Sequence, residues 1–464
     1  MHHLTVTGSS RLSLWRHVRE FAVPLSMIES ATARRAVGDW AGACAAARVD
    51  VDLDLRSLGR TYGRELASQL RTDLRHLAPD LLRWHLPRIA PDGLLRPGLT
   101  VSLARYDLTG QAAGGTTCPE RRHDRATVHL VVRTPPAWAD AGQRISLALW
   151  DASRPGAGRG RHPHPRPGRR FRLDLHRHLW DARRAGDLRA RSGADRTPGS
   201  TLELNVLQDR SCAVDRWADE ARLLLRADGQ ADGAVAVRLG GRRRLVLDLG
   251  AGADGAGTPR LTAASGSRLP VLPDAATWVL PDLALLRAGL IDADRLHPLV
   301  AAALTPDRLP AAPPQTTDDR AGAHIVECRG ARHRIGLVDG VLVPLDHDAA
   351  EIRREELLAA LTGTPLPCLR VIDEVHRHPE CLVDVRARLD HGDTAGALAV
   401  VEDLLGPGAL LRGGALREEL ETAALRRVTH GLFRAGLVGH SPARGPKDRR
   451  PRDHRTHPRH AARP

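Results

Sequence analysis

Leu99-Thr-Val-Ser-Leu103, Thr127-Val-His-Leu-Val-Val132 and Ile145-Ser-Leu-Ala-Leu-Trp150 are short runs of β-branched and aliphatic residues, bounded by Gly, Pro and polar clusters. Such runs read as strands of one sheet. The chain before them has a different character. From Ser13 to about Leu95 apolar residues recur every three or four positions, as in Tyr62, Leu66, Leu70, Leu74 and Leu77, which puts one apolar stripe on a helix. Pro79 interrupts that helix, and Ala31–Ala47 reads as a second helical unit broken at Gly38-Asp39. Residues 13–97 are therefore expected to form a helical domain, and residues 98–250 a mixed α/β domain with further strands at Thr201–Leu207, Ala234–Leu239 and Leu245–Leu249 and a helix from about Cys212 to Arg226.

Downstream, Gly250–Ser267 reads as a Gly/Ala/Ser linker and Pro306–Asp319 as a Pro-rich one, bracketing a helical segment at 268–305. Ile335-Gly-Leu-Val338 and Val341-Leu-Val-Pro-Leu345 flank Asp339-Gly340. Asp-Gly between apolar runs favours a two-residue turn with positive φ, so 320–347 is expected to be a hairpin or meander, with His324–Cys328 as a third strand. Residues 348–438 return to helices. The last of these, about Ala415–Ala435, carries Leu416, Leu420, Ala424, Val428 and Leu432 as its expected buried stripe, with acids near its start and arginines near its end. The class is α+β: helical ends around a mixed, β-rich middle, followed by a disordered basic tail at 440–464.

The net charge of +14 is concentrated. Seven arginines and no acid lie between Arg154 and Arg172, and seven more with Lys447 face only Asp448 and Asp453 after His440. The rest of the chain is nearly neutral. The loop 154–170 holds too little apolar surface to offset its ordering entropy and is expected to be disordered. Arg159, Arg161, Arg166, Arg169 and Arg170 there, with Arg449, Arg450, Arg452 and Arg455 in the tail, form two basic arms able to contact phosphate. Aromatic residues are scarce in both, which argues against a base-stacking platform. The abundance of arginine beside a single lysine reflects a GC-rich coding bias, so each arginine is weak evidence of a selected contact.

Gly38-Asp-Trp-Ala-Gly-Ala-Cys-Ala45 and Gly392-Asp-Thr-Ala-Gly-Ala-Leu-Ala399 share the pattern Gly-Asp-x-Ala-Gly-Ala-x-Ala. A Gly-Asp turn followed by small residues lets two helices approach closely. Each copy resembles the turn and second helix of a tetratricopeptide unit, which implies a helical hairpin. The copies lie too far apart in sequence to stack as a solenoid.

Chemistry-bearing clusters are few. Asp373, Glu374, His376, His378 and Cys381, with Cys368 upstream, gather acid, imidazole and thiol groups within a short span. The spacing lacks a two-residue Cys loop, and ordinary surface ion pairs on a helix account for it better than a Zn²⁺ site. Asp346-His347-Asp348 reads as a loop whose Asp348 caps the next helix, and His176 and His178 as a half-exposed junction. Leu249-Gly-Ala-Gly252-Ala-Asp-Gly255 follows a strand but opens no helix, so it provides no phosphate-binding turn. The six dispersed cysteines read as reduced, mostly inert thiols. No cofactor motif is found, and none is expected. No apolar run reaches the about 18 residues that a membrane span needs, and the first twenty residues lack a signal-peptide centre. The leading reading is a cytoplasmic, non-enzymatic interaction or adaptor component with protein partners. A nucleic-acid-associated protein using the basic arms, and an enzyme of unrecognised type, are the alternatives.

Overall fold

A computed structural model describes residues 8–108, 127–153, 162–195, 212–240, 243–250, 260–263, 269–306, 324–328, 331–338, 341–344, 346–362, 367, 382–405 and 414–437. The chain forms two compact units, one comprising Met1–Pro310 with Phe433–Pro464 and the other Ala311–Leu432. The class is α+β, with helices toward the ends and strands in the middle. No described helix is long and apolar enough to cross a membrane.

The first unit opens with α1 (Gly8–Phe21), α2 (Leu25–Ala36) and α3 (Trp40–Ala46), then β1 (Val49–Val51), α4 (Leu55–His76) and α5 (Pro79–His85). Leu66, Leu70 and Leu74 are buried on α4, and Pro79 occupies the first turn of α5, where its missing N–H has no helical partner to lose. A two-stranded ribbon of β2 (Arg88–Ile89) and β3 (Leu94–Leu95) leads to β4 (Thr100–Asp107), β5 (Thr127–Arg133) and β6 (Ile145–Asp151). The three expected strands form one sheet of order β1-β6-β5-β4. Its edge comes from the helical region, because Val49 pairs in parallel with Ile145. One apolar core runs from Val18 through Leu70, Leu74 and Leu130 to Leu304, drawing on residues both before and after position 97.

Next come α6 (Leu188–Ser192), α7 (Val214–Ala227), β7 (Ala234–Gly240), β8 (Arg243–Asp248), β9 (Arg260–Ala263), α8 (Asp274–Thr277), α9 (Pro281–Arg287) and α10 (Pro298–Leu304). Trp217, Leu224 and Leu225 of α7 pack on Val235 and Val237 of β7. The linker expected at Gly250–Ser267 is corrected in part, since β9 lies within it and pairs with β8 from Leu245↔Ala263 to Asp248↔Arg260. The backbone partner of β8, absent from local composition, supplies the order. The expected strand Thr201–Leu207 lies outside the described residues.

The basic loop is likewise corrected where it is described, from residue 162 onward. Gly168 N–H donates to Thr100 O at 2.8 Å, and Thr100 Oγ1 donates to His164 O at 2.6 Å. The segment is ordered by an edge of the sheet rather than by apolar surface of its own. His176 and His178 follow in 3₁₀ turns and are buried, not half-exposed.

The second unit contains β10 (His324–Cys328), β11 (Ala331–Val338) and β12 (Val341–Pro344), joined as an antiparallel meander. Val338 pairs with Val341, which leaves a two-residue connection, as Asp-Gly requires. Among the described residues the helices that follow are α11 (Ala349–Thr362), α12 (Leu382–Asp390), α13 (Thr394–Leu405) and α14 (Ala415–Ala435). Leu416 is buried with Val385, Leu389 and Ala397. The stripe expected along α14 stops early, because Val428 and Leu432 are 58% and 41% exposed. Periodicity alone marked a face of which Leu416 is buried and Leu420 partly buried, while Val428 and Leu432 stay exposed.

Both copies of the repeated motif are helical hairpins with the same local chemistry. Gly38 and Gly392 take φ of 79° and 84°, a region that only glycine enters cheaply. Asp39 then accepts the Gly42 N–H at 2.8 Å, and Asp393 accepts the Gly396 N–H at 3.1 Å. Arg34 bonds Asp39 at 3.3 Å and Arg388 bonds Asp393 at 3.2 Å. A Cβ at Gly42 or Gly396 would overlap the capping carboxylate.

One buried polar junction ties distant parts of the first unit. Arg19 Nη2 donates to Asp282 Oδ2 at 2.7 Å and its Nη1 to Trp84 O at 2.8 Å, while Trp84 Nε1 donates to Asp282 Oδ1 at 2.9 Å. Beside it His297 Nδ1 accepts the Leu299 N–H at 3.2 Å, which leaves Nε2 to donate to Asp80 at 3.0 Å. Removing one partner of a buried ion pair costs about 3–5 kcal/mol, whereas replacing both by apolar groups costs far less. Arg19→Met is therefore expected to destabilise the first unit by about 3–5 kcal/mol in urea unfolding, with most of the loss recovered by Asp282→Leu in the same chain.

Candidate functional site

Against this junction lies a cavity of about 420 Å³, within the about 300–1,000 Å³ range of small-molecule sites. It is built from α1, the end of α5 and β2, Arg96, β4, the Arg170–Leu179 segment, α6, α7 and the α8–α9 connection. Leu14, Leu86, Ile89, Val101 and Val279 give it an apolar lining, and Trp15, Trp84, Phe171 and Trp278 add aromatic surface. The chain has only 8 Trp, 3 Phe and 2 Tyr in all, so four of them meeting in one cavity is a concentration.

The polar part of the wall is dominated by arginine, with Asp274 as its single carboxylate. Four of the guanidinium groups are neutralised: Arg19 by Asp282, Arg170 by Asp274 through bonds of 3.0 and 2.8 Å, Arg172 by Asp174 and Asp228, and Arg191 by Glu220. Arg88 and Arg96 are different. Arg88 donates to the carbonyls of Gly93 and Arg83 at 3.1 and 2.9 Å, and its Nε has no partner. Arg96 also leaves a buried Nε unbonded. Neither has a carboxylate partner among the described residues. Burial and the nearby Arg19 push the Arg88 guanidinium down to about 9, so it remains a cation at neutral pH. Burial and Arg170 lower Arg96, against the pull of Asp274.

Two histidines line the same wall. Burial pushes His85 down to about 3 and drives His178 well below its ordinary value, in each case with a neighbouring cation adding to the effect. Both are neutral imidazoles at pH 7. The Nε2 of His85 is buried without a hydrogen-bond partner. The cavity thus joins uncompensated positive charge, flat apolar surface and an unpaired imidazole nitrogen.

Other clusters offer less. A larger, open groove of about 580 Å³ holds Asp73, Asp107 and Asp174 among Arg105, Arg177 and Arg183, and its charges are largely spent on one another: Tyr106 Oη donates to Asp73 at 2.8 Å and Arg177 pairs with the same carboxylate. Ser102 Oγ lies 2.9 Å from His129 Nδ1, but Ser102 is buried in the sheet and lines neither cavity. Among the described residues no group of three His, Cys, Asp or Glu side chains is placed to hold a metal ion. Burial and Asp39 push the Cys44 thiol up to about 12, which suits an inert core residue.

The residues singled out in the sequence are placed as follows. Asp373, Glu374, His376, His378 and Cys381 lie outside the described residues, as do Arg159, Arg161, Arg449, Arg450, Arg452 and Arg455. Arg166 and Arg169 are exposed. Arg170, expected in a phosphate-contacting arm, is part-buried, bound through Nε and Nη2 to Asp274, and lines the cavity. The acid-His-acid run does not converge. Asp346 bonds Arg334 at 2.9 Å, His347 stacks on His333 with ring centroids 4.2 Å apart, and Asp348 accepts the Ala350 N–H at 3.4 Å as the expected cap. Sequence reading passed over Arg88, Arg96, His85 and Trp15. The scarcity of aromatic residues was the one signal pointing toward them.

Comparison of the chain with protein-family models, with curated proteins and with solved structures finds no match.

The buried imidazoles give this unit a defined pH response. A histidine whose folded pKa lies below its unfolded value binds its proton first in the unfolded chain, so folding stability falls as pH drops below about 6.5 and levels off near the folded pKa. His85 at about 3 and His129 and His162 at about 4, all lowered by burial, set that window. The melting temperature is expected to decline from pH 6.5 to 4, and His129→Gln to flatten the decline; an unchanged slope in the variant contradicts a neutral, buried His129.

Proposed function

We infer that the first unit is a binding module for an organic anion, and that the chain works as a non-enzymatic interaction component that takes up this ligand. The observation that carries the reading is the pair of half-buried guanidinium groups, Arg88 and Arg96, which line the cavity with buried, unbonded Nε atoms and no carboxylate partner among the described residues. Buried charge is costly unless paired, and a bound phosphate or carboxylate supplies the missing charge through short, charge-assisted bonds. The apolar remainder of the wall favours a ligand with a hydrophobic body. The lining carboxylate, Asp274, is held by Arg170 and the lining imidazoles are neutral and buried, an arrangement that suits binding better than acid–base catalysis.

The partner role rests on a separate observation. Leu425 and Val428 are 67% and 58% exposed and share one face of α14 with Leu432, and exposed apolar stripes of this kind favour helix docking.

Titration calorimetry of the full chain with inorganic pyrophosphate tests the anion reading. The double substitution Arg88→Gln with Arg96→Gln is expected to weaken binding at least tenfold, since hydrogen bonds to charged groups are each worth about 1.5–3 kcal/mol. Arg166→Gln with Arg169→Gln, on the exposed surface, is expected to change it less than twofold. Equal losses in the two variants, or no binding by the parent chain, contradict a cavity site.

A further inference from the structure

The later part of α4 carries charge that the fold leaves unmatched. Gly63 takes φ of 86° and ψ of 165° and kinks the helix, so the residues from 64 to 76 form a run of their own. Arg64, Arg71 and Arg75 are exposed on it, spaced by seven and four residues. At 3.6 residues per turn they fall within about 40° of one another, along a line about 16 Å long. Both acids of the run lie elsewhere. Glu65 is about 100° round from that line and accepts a bond from Gln69 at 3.4 Å. Asp73 is buried, accepts the Tyr106 hydroxyl and pairs with Arg177.

Coding bias accounts for the presence of an arginine but not for its isolation. Arg34 and Arg184, also exposed, pair with acids a few residues away, Asp39 and Asp187. Arg64, Arg71 and Arg75 have no carboxylate partner among the described residues. Arg71 and Arg75, four residues apart on one face, repel each other, and an anionic partner relieves that repulsion.

The rest of the face selects the partner. Ser68 lies between the arginines and Thr72 and Gln69 beside them, and none of the strongly exposed large apolar side chains belongs to α4. A helix that lies on a bilayer buries apolar side chains, and the centre of a protein interface is depleted of charge. This face suits neither. It also holds no Trp, Tyr or Phe on which an unpaired base could stack. The open groove reached through Thr72 and Gln69 adds no net charge, since Arg105, Arg177 and Arg183 there are matched by Asp73, Asp107 and Asp174. A polyanion held through its phosphates fits what remains. Each strand of a duplex presents a phosphate about every 3.4 Å along the axis, so a helix laid along it meets about five phosphates over the length of this line.

We propose that the Arg64, Arg71 and Arg75 face of α4 binds the phosphate backbone of duplex nucleic acid without reading its sequence. The site is independent of the cavity, whose volume of about 420 Å³ excludes a duplex. It also differs from the basic runs at 154–172 and 440–464 in that a single helix fixes the spacing of its charges.

Fluorescence anisotropy of the full chain with a labelled DNA duplex of mixed sequence, between about 50 and 200 mM salt, tests it. Each phosphate neutralised contributes about 0.9 to the slope of log affinity against log salt. The combined substitution Arg64→Gln, Arg71→Gln and Arg75→Gln is expected to weaken binding at least tenfold at the lower salt and to reduce that slope by about two to three. The same three positions changed to Lys, which keeps the charge, are expected to preserve both. Arg449→Gln, Arg450→Gln and Arg452→Gln together remove equal charge from the tail and are expected to change affinity less than threefold. Equal losses in the two Gln variants reveal charge attraction without a site and overturn the proposal, as does a parent chain that binds no duplex. If the α4 Gln variant loses binding to phosphatidylserine vesicles but keeps the duplex, the face belongs to a membrane and the proposal falls.

Discussion

The bond between Arg19 and Asp282 joins residues 263 positions apart inside a core that admits almost no water. Neither charge is affordable there alone, because desolvating an ion in a low-dielectric interior costs several kcal/mol. Burial by itself would raise the Asp282 carboxyl, yet Arg19, His85 and the Trp84 indole hold it below the usual carboxylate range. The pair therefore fixes where α9 lies against α1 and α5, with the His297–Asp80 bond as a second tie between the same parts of the chain. Arg83, buried on α5, donates from both Nη atoms to the Gln143 carbonyl at 2.5 and 2.6 Å and extends the tie to the loop before β6.

The cavity follows from that constraint. Trp84 faces Arg19 and Asp282 on one side and lines the cavity on the other. The connection between α8 and α9, which carries Trp278 to Pro281, is brought into the wall by Asp282. Local rigidity of this kind keeps a binding site in shape without its ligand and reduces the ordering cost of binding. On the proposed anion-binding reading, the surplus of guanidinium over carboxylate groups in the wall is what a bound ligand would neutralise.

Much of the fold was legible because its signals are local. The alternation in Thr127–Val132, the Asp339-Gly340 turn and the Gly-Asp cap each act within a few residues, and the sheet, the hairpin and both helical pairs are where those signals place them. What was not legible depends on partners far along the chain. The loop 154–170 is rich in Arg, Pro and His and reads as disordered, but from residue 162 onward, where it is described, Thr100 and Asp274 order it. The linker after β8 hides a strand whose only cue is β8 itself. For the site the difficulty was sharper. In a chain with 69 basic residues, nothing local separates Arg88 and Arg96 from the solvated majority, and the cavity exists only once α1, β2 and the α8–α9 connection have met. The apolar stripe of α14 shows the converse, a strong periodic signal whose Leu425, Val428 and Leu432 remain exposed.

Hydrogen exchange followed by mass spectrometry, on the full chain with and without saturating pyrophosphate, compares the cavity with the rest of the molecule in one experiment. Binding at the arginine-lined wall slows exchange in the segments around 84–101, 170–179 and 274–282, and leaves the 311–432 unit and the α2–α3 hairpin unchanged. Protection spread over the exposed arginines, or absent from those three segments, contradicts a preformed anion site held by the Arg19–Asp282 junction.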